Sequence, residues 1–249
     1  MKTGYIYGFG AVMTVVVALL LAGMKTALND QIVTNEEVFN KRAILEAVST
    51  PMVEAGGKAA ADLDNEEVLS IFDNQVKQSV IDANGDLVEG KVAFEIKMPD
   101  EKKKPAAERV YPVYEFTRQD GKKYYIFSVI GNGLWDIIWG NISLESDYNT
   151  IAGVFFDHAG ETPGLGAEIK DNGGWKKQFI GNEVYKDGEY VGVNVRKGGA
   201  KDEVYEVDGL SGATITADGV TDMIYNGFSA YEEYFADQKA AGPTGMLQQ

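Results

Sequence analysis

The chain has 249 residues, a formal net charge of −15 and no cysteine. Its length suits one sizeable domain or two small ones, and the lack of cysteine excludes disulfides, thiolate nucleophiles and cysteine-ligated iron–sulfur clusters. An acidic chain without a basic stripe argues against nucleic acid as a partner, because phosphate groups attract Lys and Arg.

The amino-terminal residues 5–24 are uncharged and rich in Val and Leu. A helix of ~20 such residues spans the ~30 Å of a bilayer core. The alternative is a cleaved signal peptide, but its apolar region is usually only ~7–15 residues, and the residues at 22–25 make a poor cleavage site. We therefore predict a membrane anchor over residues 1–25, a soluble domain over residues 26–236 and a tail over residues 237–249.

The side of the membrane is less clearly encoded. Lys2 precedes the apolar run and Lys25 follows it, so the positive-inside bias is nearly balanced. Because a short amino end inside and a large domain outside is the commoner arrangement, we expect the domain on the periplasmic face of the cell inner membrane.

Two segments have the pattern of a helix capping box, one beginning at Thr34 and the other at Asp64. The first predicts a helix that runs to about residue 48. The second predicts a helix whose inward residues are Val68, Leu69, Phe72, Val76 and Val80.

Strand patterns follow these helices. Val92, Phe94 and Ile96 alternate with other residues and predict a half-buried strand. Residues 98–107 are rich in charge and predict a solvated loop. Residues 113–117 and 123–130 flank a turn sequence and predict a hairpin.

The last long helix carries one apolar stripe. Val220, Ile224, Phe228, Tyr231 and Phe235 recur at helical spacing. Since the strands cluster between the early helices and this one, antiparallel hairpins are favoured over βαβ units. We predict one α+β domain with a mostly antiparallel sheet flanked by helices, behind a single N-terminal transmembrane helix.

Residues 131–140 contain three glycines and two tryptophans. Glycine admits close backbone approach and indole presents a stacking face, so the segment around Leu134 and Trp135 suits a flat aromatic ligand. The alternative is a core strand with a tight bend.

A second unusual stretch begins at Glu161 and reads E-T-P-G-L-G. Pro163 followed by Gly164 predicts a type II turn. Such a rigid corner would place Glu161 and Thr162 where they could hold the polar edge of a flavin ring, but taken alone it is a well-formed turn.

The third stretch, D-G-L-S-G-A-T at residues 208–214, leads into the last helix. Gly209 and Gly212 permit unusual backbone angles or a close ligand. A helix N-terminus attracts phosphate, although an ordinary loop and helix cap explains the local pattern as well.

Taken together and in this order, the three stretches resemble the covalent FMN-binding family of membrane respiratory complexes. Within that family the chain is most similar to the C subunit of the sodium-translocating NADH:quinone reductase, with the G subunit of the RNF complex as a near relative. The resemblance covers the anchor and residues 131–235. His158 lies near the second motif, but the spacing leaves its role open.

The resemblance implies that FMN is joined to Thr214 through a phosphoester by a separate flavin transferase. It makes residues 208–214 the sequence that the transferase recognises: Asp208, Gly209, Ser211, Gly212, Ala213 and Thr214. The implied cofactor-binding residues are Ser211, Gly212, Ala213, Leu165, Thr162, Glu161, Gly164, Gly166, Leu134 and Trp135.

The implied function is electron relay within a complex that couples NADH oxidation by quinone to sodium export, with other membrane subunits as partners. No G-x-G-x-x-G opens a helix after a strand, and the predicted span carries no charge for ion transport. We therefore predict no NADH or quinone site, no metal site and no catalytic residue beyond the flavin. The alternatives are an RNF-type or stand-alone flavin carrier, and a non-redox membrane-anchored scaffold.

Overall fold

The structure is a computed structural model that describes residues 3–241. Its contacts divide the chain into two compact units, residues 1–41 and residues 42–249. The predicted domain boundary at residue 26 stays a prediction, as does the tail over residues 237–249, of which residues 242–249 lie outside the described range.

The first unit is helical. Helix α1 spans Thr3–Glu46, and its apolar side chains are exposed along the amino-terminal part, as at Leu19, which is 68% exposed. In the described part of the chain, α1 is the one helix long and apolar enough to cross a membrane. It fits the predicted membrane anchor.

The predicted helix start at Thr34 is wrong, although the segment is helical and α1 ends at Glu46, near the predicted end at about residue 48. Thr34 lies inside α1, and its hydroxyl donates to the carbonyl of Asp30 four residues earlier at 2.9 Å. No Gly or Pro occurs between the apolar run and this point, so nothing interrupts the helix and the threonine bonds within it instead of capping it.

The second unit is built on a five-stranded antiparallel sheet in the order β1-β2-β3-β4-β5. The strands are β1 (Val76–Asp82), β2 (Val110–Thr117), β3 (Lys123–Asn132), β4 (Ile137–Leu144) and β5 (Ile151–His158). The predicted hairpin is confirmed, because β2 and β3 pair through registers such as Phe116 opposite Tyr124. The antiparallel α+β class is confirmed as well.

Two short helices precede this sheet, α2 (Ser49–Glu54) and α3 (Asn65–Gln75). The capping box at Asp64 is confirmed, since the Asp64 side chain accepts from the amide of Glu67 at 2.8 Å and the Glu67 side chain accepts from the amide of Asp64 at 2.9 Å. The predicted extent of the helix is wrong, because Val76 and Val80 belong to β1, where β-branched residues pack well.

The strand predicted over residues 92–96 is also wrong. Ala93–Glu95 form a 3₁₀ helix that lies against β1 and β2, where the Phe94 amide donates to Gln78 Oε1 of β1 at 3.0 Å. Ala93 is buried while Val92 is 46% exposed, the reverse of the predicted alternation. The segment therefore packs on the sheet and adds no strand to it.

The charge-rich residues 98–107 are more ordered than a solvated loop. They include helix α4, Met98–Glu101, and a carboxylate of Glu101 that is buried and accepts from the amide of Val110. The Lys102 ammonium donates to Asn132 Oδ1 at 2.8 Å. Burial lowers the pKa of Lys102, and the nearby Arg109 lowers it further.

Short elements fill the chain between β5 and the last two helices. Helices α5 (Glu168–Asp171) and α6 (Gly173–Lys177) pack against β5. Strands β6 (Tyr185–Lys186) and β7 (Glu189–Tyr190) form an antiparallel pair, and β8 (Asn194–Arg196) and β9 (Glu206–Asp208) form a parallel one.

The carboxyl-terminal helices are α7 (Thr214–Ser229) and α8 (Glu232–Ala241), so the single helix predicted to carry the stripe as far as Phe235 is wrong in extent. They cover one face of the sheet, and the five predicted stripe residues are all buried there: Val220, Ile224, Phe228, Tyr231 and Phe235. The Tyr231 hydroxyl donates to backbone carbonyls of Pro112 and Ser128, which fixes the junction of α7 and α8 across β2 and β3.

The other face is covered by α2, α3 and the last turn of α1. Phe72 of α3 packs edge-on against Tyr114 of β2, and the Ser143 hydroxyl of β4 donates to the carbonyl of Ala47. The sheet is therefore the middle layer of three.

The central strands bring three loops to one end of the sheet. The β3–β4 turn follows Asn132, and the loop after β5 follows His158, which pairs with Ile138 at the start of β4. Helix α7 begins at this end and passes so close to β3 that a side chain at Gly219 would meet the carbonyl of Asn132. The three sequence motifs thus become neighbours.

Candidate functional site

The loop at residues 208–214 connects β9 to α7. After β9 the chain turns through Gly212, whose φ is +73°. Ala213 is the helix N-cap residue, and its side chain makes no capping hydrogen bond. The first amides of α7 are therefore not capped by the N-cap side chain.

Three hydrogen bonds hold Asp208 in position. The indole Nε1 of Trp175 on α6 donates to its carbonyl at 2.6 Å. Its amide donates to Gln178 Oε1 at 2.9 Å, and its carboxylate accepts from the amide of Ala200 at 2.9 Å. The first residue of the predicted transferase sequence therefore holds the turn in place.

We predict that Trp175→Phe lowers the free energy of unfolding by about 1–3 kcal/mol, because it keeps a buried ring but leaves the Asp208 carbonyl without its indole donor. Urea unfolding of the purified chain measures this. Trp135→Phe is the matched control, since Trp135 is 68% exposed, and its change should stay within about 0.5 kcal/mol. Equal effects of the two substitutions would contradict the assignment.

Two threonines at the start of α7 have opposite environments. Thr214 is partly exposed and lines a cavity of about 520 Å³. Thr216 is only 1% exposed, and its hydroxyl donates to Glu161 Oε2 at 2.5 Å. Of these two threonines, only Thr214 is accessible from solvent.

The cavity is lined by some of the predicted site residues and by several residues that were not predicted from the sequence. The predicted residues that line it are Asp208, Gly209, Ser211, Gly212 and Thr214. The missed ones include Lys197, Gly198, Gly199 and Asp218. Asp218 was detectable, because it lies one helical turn after Thr214; Lys197 was not, since only folding brings β8 beside β9.

The corner at residues 161–166 has the predicted type II turn. Gly164 has φ +73°, and the Leu165 amide donates to the Thr162 carbonyl at 3.1 Å. Leu165 reaches the loop at residues 208–214, because a side chain at Gly212 would lie 2.6 Å from Leu165 Cδ2. Thr162, Gly164, Leu165 and Gly166 do not line the cavity, and of these Leu165 contacts Gly212 in its wall.

The third motif forms the turn between β3 and β4. The Gly133 amide donates to the Asp136 carbonyl at 2.7 Å, and the turn exposes Leu134 and Trp135, at 47% and 68%. Leu165 and Ile215 are also exposed, at 42% and 58%. Leu134, Trp135 and Leu165 lie on motif turns, whereas Ile215 lies in the first turn of α7.

Glu161 has a different environment from the one predicted. It is 4% exposed, and its carboxylate accepts from the Trp135 amide and the Thr216 hydroxyl, so protein groups occupy both oxygens. Its own amide donates to Nδ1 of His158 at 3.1 Å. Glu161 therefore links the motifs through hydrogen bonds, and His158 fixes the backbone of Glu161 by accepting from its amide.

The chain is similar to known proteins over most of its length. The protein-family model of the FMN-binding domain matches residues 133–229, which contain most of the first motif and all of the other two. The C subunit of the Na(+)-translocating NADH-quinone reductase of Vibrio vulnificus is 30% identical over 234 residues, covering 87% of this chain and 86% of that protein. The chain belongs to this family of C subunits.

Other members of the family support the assignment. The C subunit of Pasteurella multocida is 28% identical over 242 residues, covering 91% of this chain and 86% of its own length. The crystal structure of the C subunit from Parabacteroides distasonis has a TM-score of 0.72 at 33% identity, covering 84% of this chain and 96% of that one. The crystal structure of NqrC from Shewanella oneidensis has a TM-score of 0.64 at 26% identity, and the match covers 80% of this chain and 98% of that one.

Proposed function

We propose that this chain is the electron-carrier subunit of a membrane NADH:quinone reductase, with FMN bound covalently to Thr214. The complex would couple NADH oxidation by quinone to sodium export. Membership in the family of C subunits and the FMN-binding domain match support the assignment to such a complex. The observation that carries the attachment site is the accessible Thr214 hydroxyl on a cavity beside the motif turn.

The residues present fit FMN. A cavity of about 520 Å³ lies within the ~300–1,000 Å³ usual for cofactor-sized ligands. Gly209 and Gly212 let a ligand approach the backbone, and the helix start offers amides to phosphate oxygens. Ser211 and Lys197 would contact the same oxygens, since both line the cavity. When bound, FMN supplies reversible electron transfer.

The chain offers the flavin ring an apolar support. Leu134, Trp135 and Leu165 are exposed; Leu165 contacts Gly212, and the Trp135 amide is joined through Glu161 to Thr216. Their apolar surfaces would pack against a tethered aromatic ring. Thr162 and the amides of the 163–166 turn would supply polar contacts at its edge. A ring held at the surface is accessible to a redox partner, which we assign to a neighbouring membrane protein of the same complex.

Attachment requires an external enzyme. A threonine hydroxyl is a weak nucleophile without a positioned base; Lys197 and Asp218 line the same cavity, but the family resemblance assigns the transfer to a separate flavin transferase. In the proposed reaction the Thr214 oxygen forms a bond to the flavin-side phosphorus of FAD, the bond to AMP breaks, and the hydroxyl proton passes to a base of the flavin transferase.

We place the domain on the periplasmic side of the inner membrane, and α1 would anchor it in that membrane.

The test is expression of the full chain with and without the flavin transferase, followed by denaturing electrophoresis under ultraviolet light. We expect a fluorescent band only when the transferase is present. A dark band from transferase-containing cells would contradict the covalent flavin and favour a non-redox scaffold. Reduction of the purified complex by ferredoxin but not by NADH would indicate an RNF-type relay instead.

A further inference from the structure

We infer that Glu161 is a positioning residue. Its carboxylate holds the β3–β4 turn and the corner at residues 161–166 against α7, and its negative charge lowers the reduction potential of the flavin. The second part rests on the proposed function, whereas the first concerns the protein alone. Neither part requires Glu161 to touch the flavin.

The two carboxylate oxygens bond to different motifs. Oε1 accepts from the amide of Trp135 at 2.9 Å, and Oε2 accepts from the hydroxyl of Thr216, just after the third motif, at 2.5 Å. Because Glu161 itself opens the Pro163–Gly164 corner, one side chain joins all three segments. Acceptance at both oxygens is the pattern of an ionised carboxylate.

Two motif glycines make room for this side chain. A Cβ at Gly133 would lie 2.5 Å from Glu161 Oε1, and one at Gly166 would meet Oε2 and lie 2.6 Å from the Thr216 hydroxyl. Backbone from two loops therefore closes around the carboxylate. This explains why these positions are glycine although neither has a positive φ.

The charge of Glu161 is buried and its hydrogen-bond donors are uncharged. Glu161 is 4% exposed, and its two carboxylate oxygens accept from a backbone amide and a threonine hydroxyl. A charge away from water acts over a longer distance than an exposed one. A fixed negative charge beside the flavin disfavours the addition of electrons and so lowers its reduction potential.

The charge is tested by Glu161→Gln in the flavinylated full chain, with spectroelectrochemical titration as the measurement. We expect the ratio of oxidised to reduced flavin at a fixed ambient potential to fall about tenfold, a positive shift of about 30 mV for a two-electron couple. Glu203→Gln is the matched control, because it removes an exposed carboxylate and should leave the ratio unchanged. Equal ratios in Glu161→Gln and wild type would overturn this part.

The positioning is tested without flavin, by amide hydrogen exchange on protein from cells that lack the transferase. We expect the Trp135 amide to exchange about tenfold faster in Glu161→Gln, since a neutral acceptor binds it more weakly than a carboxylate. If that variant does not fold, two substitutions of Thr216 test the same role. Thr216→Val removes the hydroxyl that binds Glu161, so the Trp135 amide should exchange faster. Thr216→Ser keeps a hydroxyl, so the amide should exchange at the wild-type rate.

Unchanged exchange in both Glu161→Gln and Thr216→Val would overturn the positioning role. The two proposals fail separately. A wild-type chain without covalent flavin contradicts the proposed function, while a flavinylated chain with unchanged exchange and potential contradicts only the role of Glu161.

Discussion

Thr214→Ala is expected to remove the covalent flavin completely. The substitution deletes the one threonine hydroxyl at the start of α7 that lines the cavity, and alanine has no atom that can form the phosphoester. Helix α7 should be retained, because Ala is the best helix former and the N-cap residue Ala213 is unchanged. Coexpression with the transferase followed by intact-mass measurement gives the result.

The matched control is Thr216→Ala, two residues along the same helix. Thr216 is buried against Glu161, so its hydroxyl is not presented to an enzyme, and the flavin adduct should remain. Loss of the adduct in Thr216→Ala together with its retention in Thr214→Ala would move the attachment site.

The largest effect on stability is expected for Phe127→Ala. Phe127 is fully buried in β3, and its ring packs against those of Phe228, Tyr231 and Phe235, with centroids 4.9–5.9 Å away. Removing it creates a cavity between the sheet and both carboxyl-terminal helices. We expect the free energy of unfolding to fall by about 3–5 kcal/mol, as measured by urea titration of the full chain in detergent.

Leu87→Ala is the control for that measurement. Leu87 is 58% exposed, so its truncation should change the unfolding free energy by no more than about 0.5 kcal/mol. A loss below about 1 kcal/mol for Phe127→Ala would show that the sheet and the helices α7 and α8 do not share one core.

The sequence predicted elements with strong local patterns and missed those decided by distant contacts. The stripe from Val220 to Phe235 and the capping box at Asp64 need only neighbours in the chain, and both appear in the structure. The Thr34 pattern is similar but lies inside a continuous helix. Residues 92–96 have an alternating sequence, yet Ala93–Glu95 form a 3₁₀ helix whose Phe94 amide donates to Gln78 of the edge strand β1.

The candidate site shows the same division. The hydroxyl at Thr214 and the corner at Gly164 follow from the local sequence, while the resemblance indicates what the hydroxyl is for. Burial of Glu161 could not be predicted, because it depends on the meeting of segments 55 residues apart, Glu161 and Thr216. Lys197 is brought to the cavity by the parallel pairing of β8 with β9.

The most direct test of the attachment site is mass spectrometry of the native full-length protein, first intact and then after proteolysis. We predict the mass of the chain plus one FMN minus water, with the added mass on the peptide that contains residues 208–214 and localised to Thr214. An unmodified chain from transferase-containing cells, or an adduct on Ser211 or Thr216, would contradict attachment at Thr214.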